Sequence, residues 1–556
     1  MRVIFSLFAI CASGILNGQS TIGVTQFDNP NTEGYVLFSG ISSTKTYLVD
    51  KCGKKINEWS SSYRPGLSAE LLPNSDLFRT GLSSSSSFGT GGGKGGVLEK
   101  FSWNGNLLWS YLISDSAQCQ HHEAMVLPNG NVLAIVWERK INSQALQAGK
   151  NPAVTALLNN QEVWSEKIVE LQPIGTNSAN VVWEWKAWDH LIQDFDSTKN
   201  NFGVVNQHPE LLNVNYVVQG PPTNSDWLHI NSIDYDSANN QILVSSHSFE
   251  EFWIIDHSTT SVQAASHSGG NGGKGGDLLY RWGNPITYGR GTGTDKKLFK
   301  QHHASYIKAG YPNAGKVLIF NNGVNRPGGN ITSIDMVDIL QAGSPFTIGA
   351  TTPFLPATTF WTYTDTIPTS FYASNIGGVL PLTNGSFLIT DGPKGEFFEI
   401  DNLSIVKWRY TNPVNNAGPM VQGVIPTLNT VFRASFYPPT YSAFTGLSLT
   451  PTTEIEANPT NPSLCSLALG FKEVINDFFS IYPNPIGSSG TLVIDFLATE
   501  NYKAELFNPV GQIIASREIS AHTNKTTIDL PNLEQGVYFL KCTNGKNSMR
   551  RIIIVN

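Results

Sequence analysis

Three histidine-bearing stretches of the chain share one design. Phe299-Lys300-Gln301-His302-His303-Ala304-Ser305-Tyr306-Ile307 leads into Val317-Leu318-Ile319-Phe320-Asn321-Asn322-Gly323. Gln120-His121-His122-Glu123-Ala124-Met125 leads into Val132-Leu133-Ala134-Ile135, and Asp226-Trp227-Leu228-His229-Ile230-Asn231-Ser232-Ile233 into Ile242-Leu243-Val244-Ser245-Ser246-His247. Each has a polar start carrying imidazole, followed by a pair of apolar strands. A neutral imidazole is a competent nucleophile near neutral pH, and neighbouring imidazoles can donate to anionic oxygens. One histidine at a strand start is ordinarily a structural hydrogen-bonder. Three in a repeated design point to a site. The same side chains, with Glu123, are also plausible metal ligands, although nothing in their spacing forces coordination.

The elements that would position them form a repeat. One block is a strand pair with a turn, beginning near Ser68, His122, His229, His303, Asn375 and Met420. A second ends in tryptophan: Leu48 to Trp59, Leu98 to Trp109, Val169 to Trp183, Ile254 to Trp282, Ile334 to Trp361, and Phe398 to Trp408. The blocks alternate six times between Tyr35 and Tyr441. Four strands per unit without intervening helices predict an all-β chain with a six-bladed β-propeller over 21–450. Rotation about a propeller axis carries innermost strands of the same register to one channel mouth, so distant histidines become one cluster. The recurring tryptophans read as packing between sheets.

At 556 residues the chain has 14% charged residues and a formal net charge of -7, with no Lys/Arg runs, which excludes a nucleic-acid surface. Two glycine stretches, Gly89 to Gly96 and Gly269 to Gly276, lack the Ser/Thr and the helix of a phosphate loop and read as flexible connections. Asp256 to Thr260 reads as a turn. Residues 1–20 have the layout of a secretory signal peptide, with Met1-Arg2 before an apolar run from Val3 to Leu16. Beyond it, Cys52, Cys119, Cys465 and Cys542 show no metal-ligand spacing, and disulfides are permitted in an exported chain. Residues 451–472 read as a linker. Alternating strands from Thr491 to Val555 predict a small β-sandwich over 473–556.

Two resemblances follow from these residues. Tyr482-Pro483-Asn484-Pro485, Leu533-Glu534-Gln535-Gly536-Val537-Tyr538 and the tail Met549 to Val555 resemble the type IX secretion sorting domain of Bacteroidetes. That resemblance implies the secretion machinery as a partner, export across the outer membrane, and release or attachment at the cell surface. Tyr47-Leu48-Val49-Asp50, His121-His122-Glu123, Asp226 to Ile233, Gln301-His302-His303 and Phe320-Asn321-Asn322-Gly323 resemble the bacterial arylsulfotransferases. These move a sulfuryl group from an aryl sulfate to a phenolic acceptor with no nucleotide donor and no cofactor or metal.

The resemblance implies His302 as the transiently sulfated nucleophile, with His229 and Asn231 binding sulfate and His122 or His121 acting as acid, base or orienter. His247, His303 and Asn322 are further candidates for substrate contact. Where the family carries arginine after Ser-Ser, this chain has His247, which is cationic only when protonated. Arg281, Arg290 and Arg326 are candidate replacements. The competing readings are a non-catalytic surface-binding propeller and a metal-dependent enzyme using the same histidines.

Overall fold

The computed structural model describes residues 20–28, 33–84, 87–89, 92–152, 162–216, 225–459, 464–465, 479–496, 500–508, 511–544 and 548–555. The signal-peptide reading of 1–20 falls almost wholly outside them, as does half of the 451–472 linker. The chain divides into two compact units, Met1–Cys465 and Ser466–Asn556. No helix among the described residues is long and apolar enough to cross a membrane.

The first unit is built from antiparallel meanders. Six sheets of four or five strands occur among its described residues, and their innermost strands are Ser435–Tyr437, Pro65–Leu71, Gln118–Val126, Ile230–Asp236, His302–Tyr306 and Gly378–Pro381. The first sheet joins the two ends of the unit, since Ser435–Tyr437 pairs with Tyr35–Ser39. The last gains a fifth strand, Gly23–Phe27, on its Val406–Thr411 edge, upstream of where the sequence repeat begins.

Hydrogen bonds link these innermost strands in turn, the last running from Ala434, just before Ser435–Tyr437, to Thr390 on the strand beside Gly378–Pro381. Tyr437 Oη accepts from Leu71 N, Ser68 Oγ from Ala124 N, and Glu123 Oε2 from Ile233 N. Ser232 Oγ accepts from Ala304 N, His303 Nδ1 from Val379 N, and Thr390 Oγ1 from Ala434 N.

The tryptophans at the outer edges fasten neighbouring sheets. Trp59, Trp109, Trp282 and Trp408 each donate Nε1 to a backbone carbonyl of the following sheet: Ser102, Ser178, Pro356 and Lys51. A buried indole N–H needs such an acceptor, and its apolar body fills the gap between the sheets. One expectation fails. Met420 to Ile425 is not an innermost strand; beyond the short Gly418–Pro419 bridge it runs as turns, and Ser435–Tyr437 takes the innermost place.

Cys52 and Cys465 form a disulfide, and Cys119 and Cys542 are buried free thiols. In the second unit, a sheet of Phe479–Tyr482, Gly490–Phe496 and Lys525–Leu530 accompanies one of Ile513–Ile519, Tyr502–Phe507, Gly536–Thr543 and Ser548–Val555. Leu492, Ile494 and Ile528 of the first share a core with Leu506, Leu540 and Ile553 of the second.

Candidate active site

The strands that carry the histidines break register where the histidines lie. Irregularities fall between Ala134 and Val136 opposite Gln118–Val126, between Ile230 and Ser232, and between His302 and Ala304. His122, His229 and His303 take left-handed backbone there, with φ of 51°, 50° and 47°. Such conformations cost an L-residue about 1–2 kcal/mol each, and bulges of this kind re-aim side chains. The bulges recur at the same point of the three strands and decide which side chain of each start joins the others.

Five rings form a chain. His121 Nδ1 lies 2.8 Å from His122 Nδ1. His122 meets His229 edge-on with centroids 4.6 Å apart; His229 and His247 are 4.8 Å apart, and His247 and His302 5.2 Å. His303, adjacent to His302 in sequence, is absent from this chain. The bulge turns it the other way, toward a cavity it shares with Glu70, Glu123, Asp234 and Arg433.

His302 has a defined tautomer. Asn322 Nδ2 donates to the carbonyls of Ala373 and Ile376, which fixes its Oδ1 2.8 Å from His302 Nδ1. An oxygen can only accept, so Nδ1 carries the proton and Nε2 keeps its lone pair. The Ile376 amide approaches that lone pair at 3.3 Å. Burial pushes the His302 pKa down to about 3, and the charge on His229 adds to the effect. Asn322, expected among substrate contacts, is instead the orienter of this ring.

His229 is the contrasting member. Burial opposes its charge, yet the Asp226 carboxylate at 2.6 Å outweighs burial and raises its pKa. Nδ1 donates to Asp226 Oδ2, and Trp137 Nε1 holds the other carboxylate oxygen. His122 and His247 are held well below the usual range by burial first and by the charge on His229 second. Of these rings, His229 is thus the one whose charged form the surroundings favour.

His121 is stacked on Trp137 at 4.1 Å and lies 2.6 Å from Glu166 Oε2. Burial drives its pKa down to about 3 and pushes Glu166 well up, with Asp226 adding to the rise. Both shifts favour the neutral pair. Glu166 then donates to His121 Nε2, His121 Nδ1–H donates to His122 Nδ1, and His122 Nε2 is left as a donor.

Asn231, expected beside His229 as a sulfate binder, sits one residue beyond Ile230 in the same strand. It is fully buried, and its Nδ2 donates to the carbonyl of Gln301, steadying the approach to His302. None of the three candidate arginines stands in for the missing one through a contact with the rings. Arg281 is paired with Glu251, Arg290 binds the carbonyls of Asn206, Gly349 and Thr352, and Arg326 donates to Ser333. The positive charge acting on both His229 and His247 is that of Lys300, itself partly desolvated. The sequence reading passed over Lys300, Asp226 and Glu166, although Lys300 and Asp226 stand inside the quoted histidine stretches.

The first glycine stretch closes over the rings. A Cβ on Gly93 would sit 2.1 Å from His122 Cε1, and one on Gly92 would sit 3.4 Å from His229 Cε1. His122 N donates to the Gly93 carbonyl. The segment is therefore a wall of the site and not merely a flexible connection. Among the described residues, three His/Cys/Asp/Glu ligand atoms converge closely enough for an ion only away from this cluster, at His190, His267 and Asp277.

Residues 480–556 match the secretion system C-terminal sorting domain, a signal for secretion across the outer membrane. None of the curated proteins is similar enough to match. Solved structures resembling the chain include a Bacteroides caccae protein of unknown function, 10% identical, covering 73% of this chain and 99% of its own, with TM-score 0.38. A putative 6-phosphogluconolactonase from Bacteroides fragilis is 8% identical, covering 74% of this chain and 99% of its own, with TM-score 0.34. Virginiamycin B lyase from Staphylococcus aureus is 9% identical, covering 72% and 90%, with TM-score 0.31. Residues 83–417, which hold every member of the histidine chain, match the arylsulfotransferase (ASST) profile, and the protein belongs to that family.

Proposed function

We propose that the protein is a secreted arylsulfate sulfotransferase working through a sulfohistidine at His302, on a six-bladed propeller whose blades are the six sheets. The observation that carries this reading is the pairing of opposite protonation states. His302 keeps a lone pair on Nε2 because Asn322 occupies Nδ1, while His229 in the same chain of rings is held protonated by Asp226.

In the first half-reaction His302 Nε2 attacks the sulfur of an aryl sulfate and the S–O(aryl) bond breaks. The departing phenolate takes the Nε2 proton of His229. Lys300 and His122 Nε2–H face the charge on the peripheral oxygens, as sulfuryl transfer requires. In the second half-reaction a phenol returns a proton to His229, its oxygen attacks sulfur, and the N–S bond breaks. His302 regains its lone pair and no nucleotide takes part. The signal peptide and the sorting domain suit release from the cell or retention at its surface.

The test is a single turnover with 4-nitrophenyl sulfate and no acceptor, followed by peptide mapping under alkaline conditions. Sulfate on the peptide containing His302, discharged on adding phenol, supports the assignment. Steady turnover with no sulfated peptide, or retained turnover in His302→Ala, overturns it.

A further inference from the structure

A second group of titratable side chains lies at the opposite side of the fourth sheet from the histidine chain. His190 follows the strand Ser178–Lys186, while His267 and Asp277 stand in the segment between Glu251–Asp256 and Tyr280–Trp282. We propose that His190, His267 and Asp277 form a zinc-binding site that fastens the insertion after Lys186 to that segment.

The argument starts from the protons. His190 is fully buried, lies parallel to Trp185 at 5.7 Å, and has its Nε2 2.8 Å from the carbonyl of Ala264. A carbonyl only accepts, so Nε2 bears the hydrogen. The remaining nitrogen, Nδ1, points at Asp277 Oδ1 from 2.7 Å, and His267 Nδ1 reaches the same oxygen at 2.8 Å. Two imidazole nitrogens and one carboxylate oxygen thus converge, with all ligand atoms within 4.8 Å of one another. Holding the far nitrogen of a ligand histidine on a backbone carbonyl is how metal sites fix ring orientation and tautomer.

The cradle is tight. A Cβ on Gly276 would lie 2.0 Å from the Ala264 carbonyl oxygen and 2.6 Å from His190 Nε2, so the backbone passes where a side chain has no room. Beyond the three ligand atoms a cleft of about 620 Å³ opens, lined in part by His208, Glu210 and Lys274, and leaves a coordination position accessible.

Two imidazoles and one carboxylate suit zinc. Calcium and magnesium prefer an all-oxygen shell. Bonds of about 2.0–2.1 Å in a tetrahedral site need ligand atoms roughly 3.3 Å apart. The 2.8 Å between His267 and Asp277 reaches that by a small outward swing of His267, whose side chain is 62% exposed, and the 2.7 Å between His190 and Asp277 by a turn of the Asp277 carboxylate. The ion would tie together stretches that have few strands of their own, such as 187–216, and so add to folding stability.

The experiment uses the purified full-length protein, stripped with chelator, dialysed, and titrated calorimetrically with zinc chloride. One equivalent is expected to bind, raising Tm. Replacing zinc by cobalt(II) is expected to give the visible band of a tetrahedral ion. His267→Ala, an exposed position that tolerates truncation, should weaken binding at least about 100-fold and remove the Tm rise. The double variant His229→Ala/His302→Ala should bind zinc as the parent does. Absence of stoichiometric binding at micromolar zinc overturns the proposal. So does binding that survives His267→Ala and is lost in the double variant, because the ion would then sit in the catalytic cluster.

Discussion

His229 Nδ1 lies 2.6 Å from Asp226 Oδ2, and of the five linked histidines His229 is the one whose pKa is raised. The carboxylate is itself held by Trp137, so the imidazolium is fixed in orientation as well as in charge. Asp226→Asn removes the charge and keeps the shape. Turnover of aryl sulfates with poor leaving groups should fall by about 100-fold or more, within the range for general-acid catalysis. Donors with acidic phenols, which depart without a proton, should be nearly unaffected. A uniform loss across leaving groups, measured as kcat/KM against phenol pKa, would show that His229 is not the acid.

The same contrast sets the pH dependence. His302 has its pKa depressed to about 3, so its lone pair is available at every pH well above that value. His229 must be protonated, and the Asp226 carboxylate extends its protonated range above that of an ordinary histidine. The acid limb of kcat/KM should therefore be absent down to about pH 5, and activity should fall as pH rises through the raised value of His229. Asp226→Asn should move that fall to lower pH. An acid limb near the ordinary histidine value would contradict a buried neutral nucleophile.

Asn322 acts on His302 through the ring's other nitrogen. Asn322→Leu frees Nδ1 and lets the proton move to Nε2. A loss of kcat on the order of 10²- to 10⁴-fold is expected, with KM little changed, as for other imidazoles left in the wrong tautomer. A change confined to KM would make Asn322 a substrate contact.

Much of this site could be read before its geometry was seen, because His122, His229 and His302 open repeated strand pairs and repetition places such starts together. What could not be read is which ring of a pair faces inward. Strand alternation gives each side chain a face, and a one-residue bulge reverses it. Such a bulge falls between His302 and Ala304 and sends His303 away from the rings. Glu166 was hidden for another reason. It sits within a strand, 45 positions after His121, and only the pairing of strands in one sheet brings them to 2.6 Å. Met420 to Ile425 misled because its apolar alternation suits a strand, while the chain there runs as turns outside the sheets.

Lys300 is the lysine whose charge acts on His247, the ring in the place of the family arginine. Lys300→Met should raise KM for the aryl sulfate roughly 10- to 100-fold, the scale of a charge-assisted hydrogen bond. Lys300→Arg should retain most of the affinity, and His247→Arg in the Lys300→Met background should restore part of it. If Lys300→Met leaves KM unchanged, the sulfate is neutralised from elsewhere.

Gly93 has φ +85°, and an added Cβ would press on His122. Gly93→Ala should cost about 1–2 kcal/mol for the left-handed backbone alone, read as a lowered Tm. It should also reduce turnover by displacing the His122 ring. Full activity at reduced Tm would show that the glycine wall does not shape the pocket.

The strand Ser435–Tyr437 completes the sheet begun by Tyr35–Ser39, and His121 through His302 lie between these two halves of a clasp. A chain made amino end first cannot shut that clasp until residue 437 has been made. Closing a ring across so many residues belongs to the slow, non-local part of folding. Until then the imidazoles have neither their enclosure nor their desolvated charges, so an incomplete copy holds the histidines without the site.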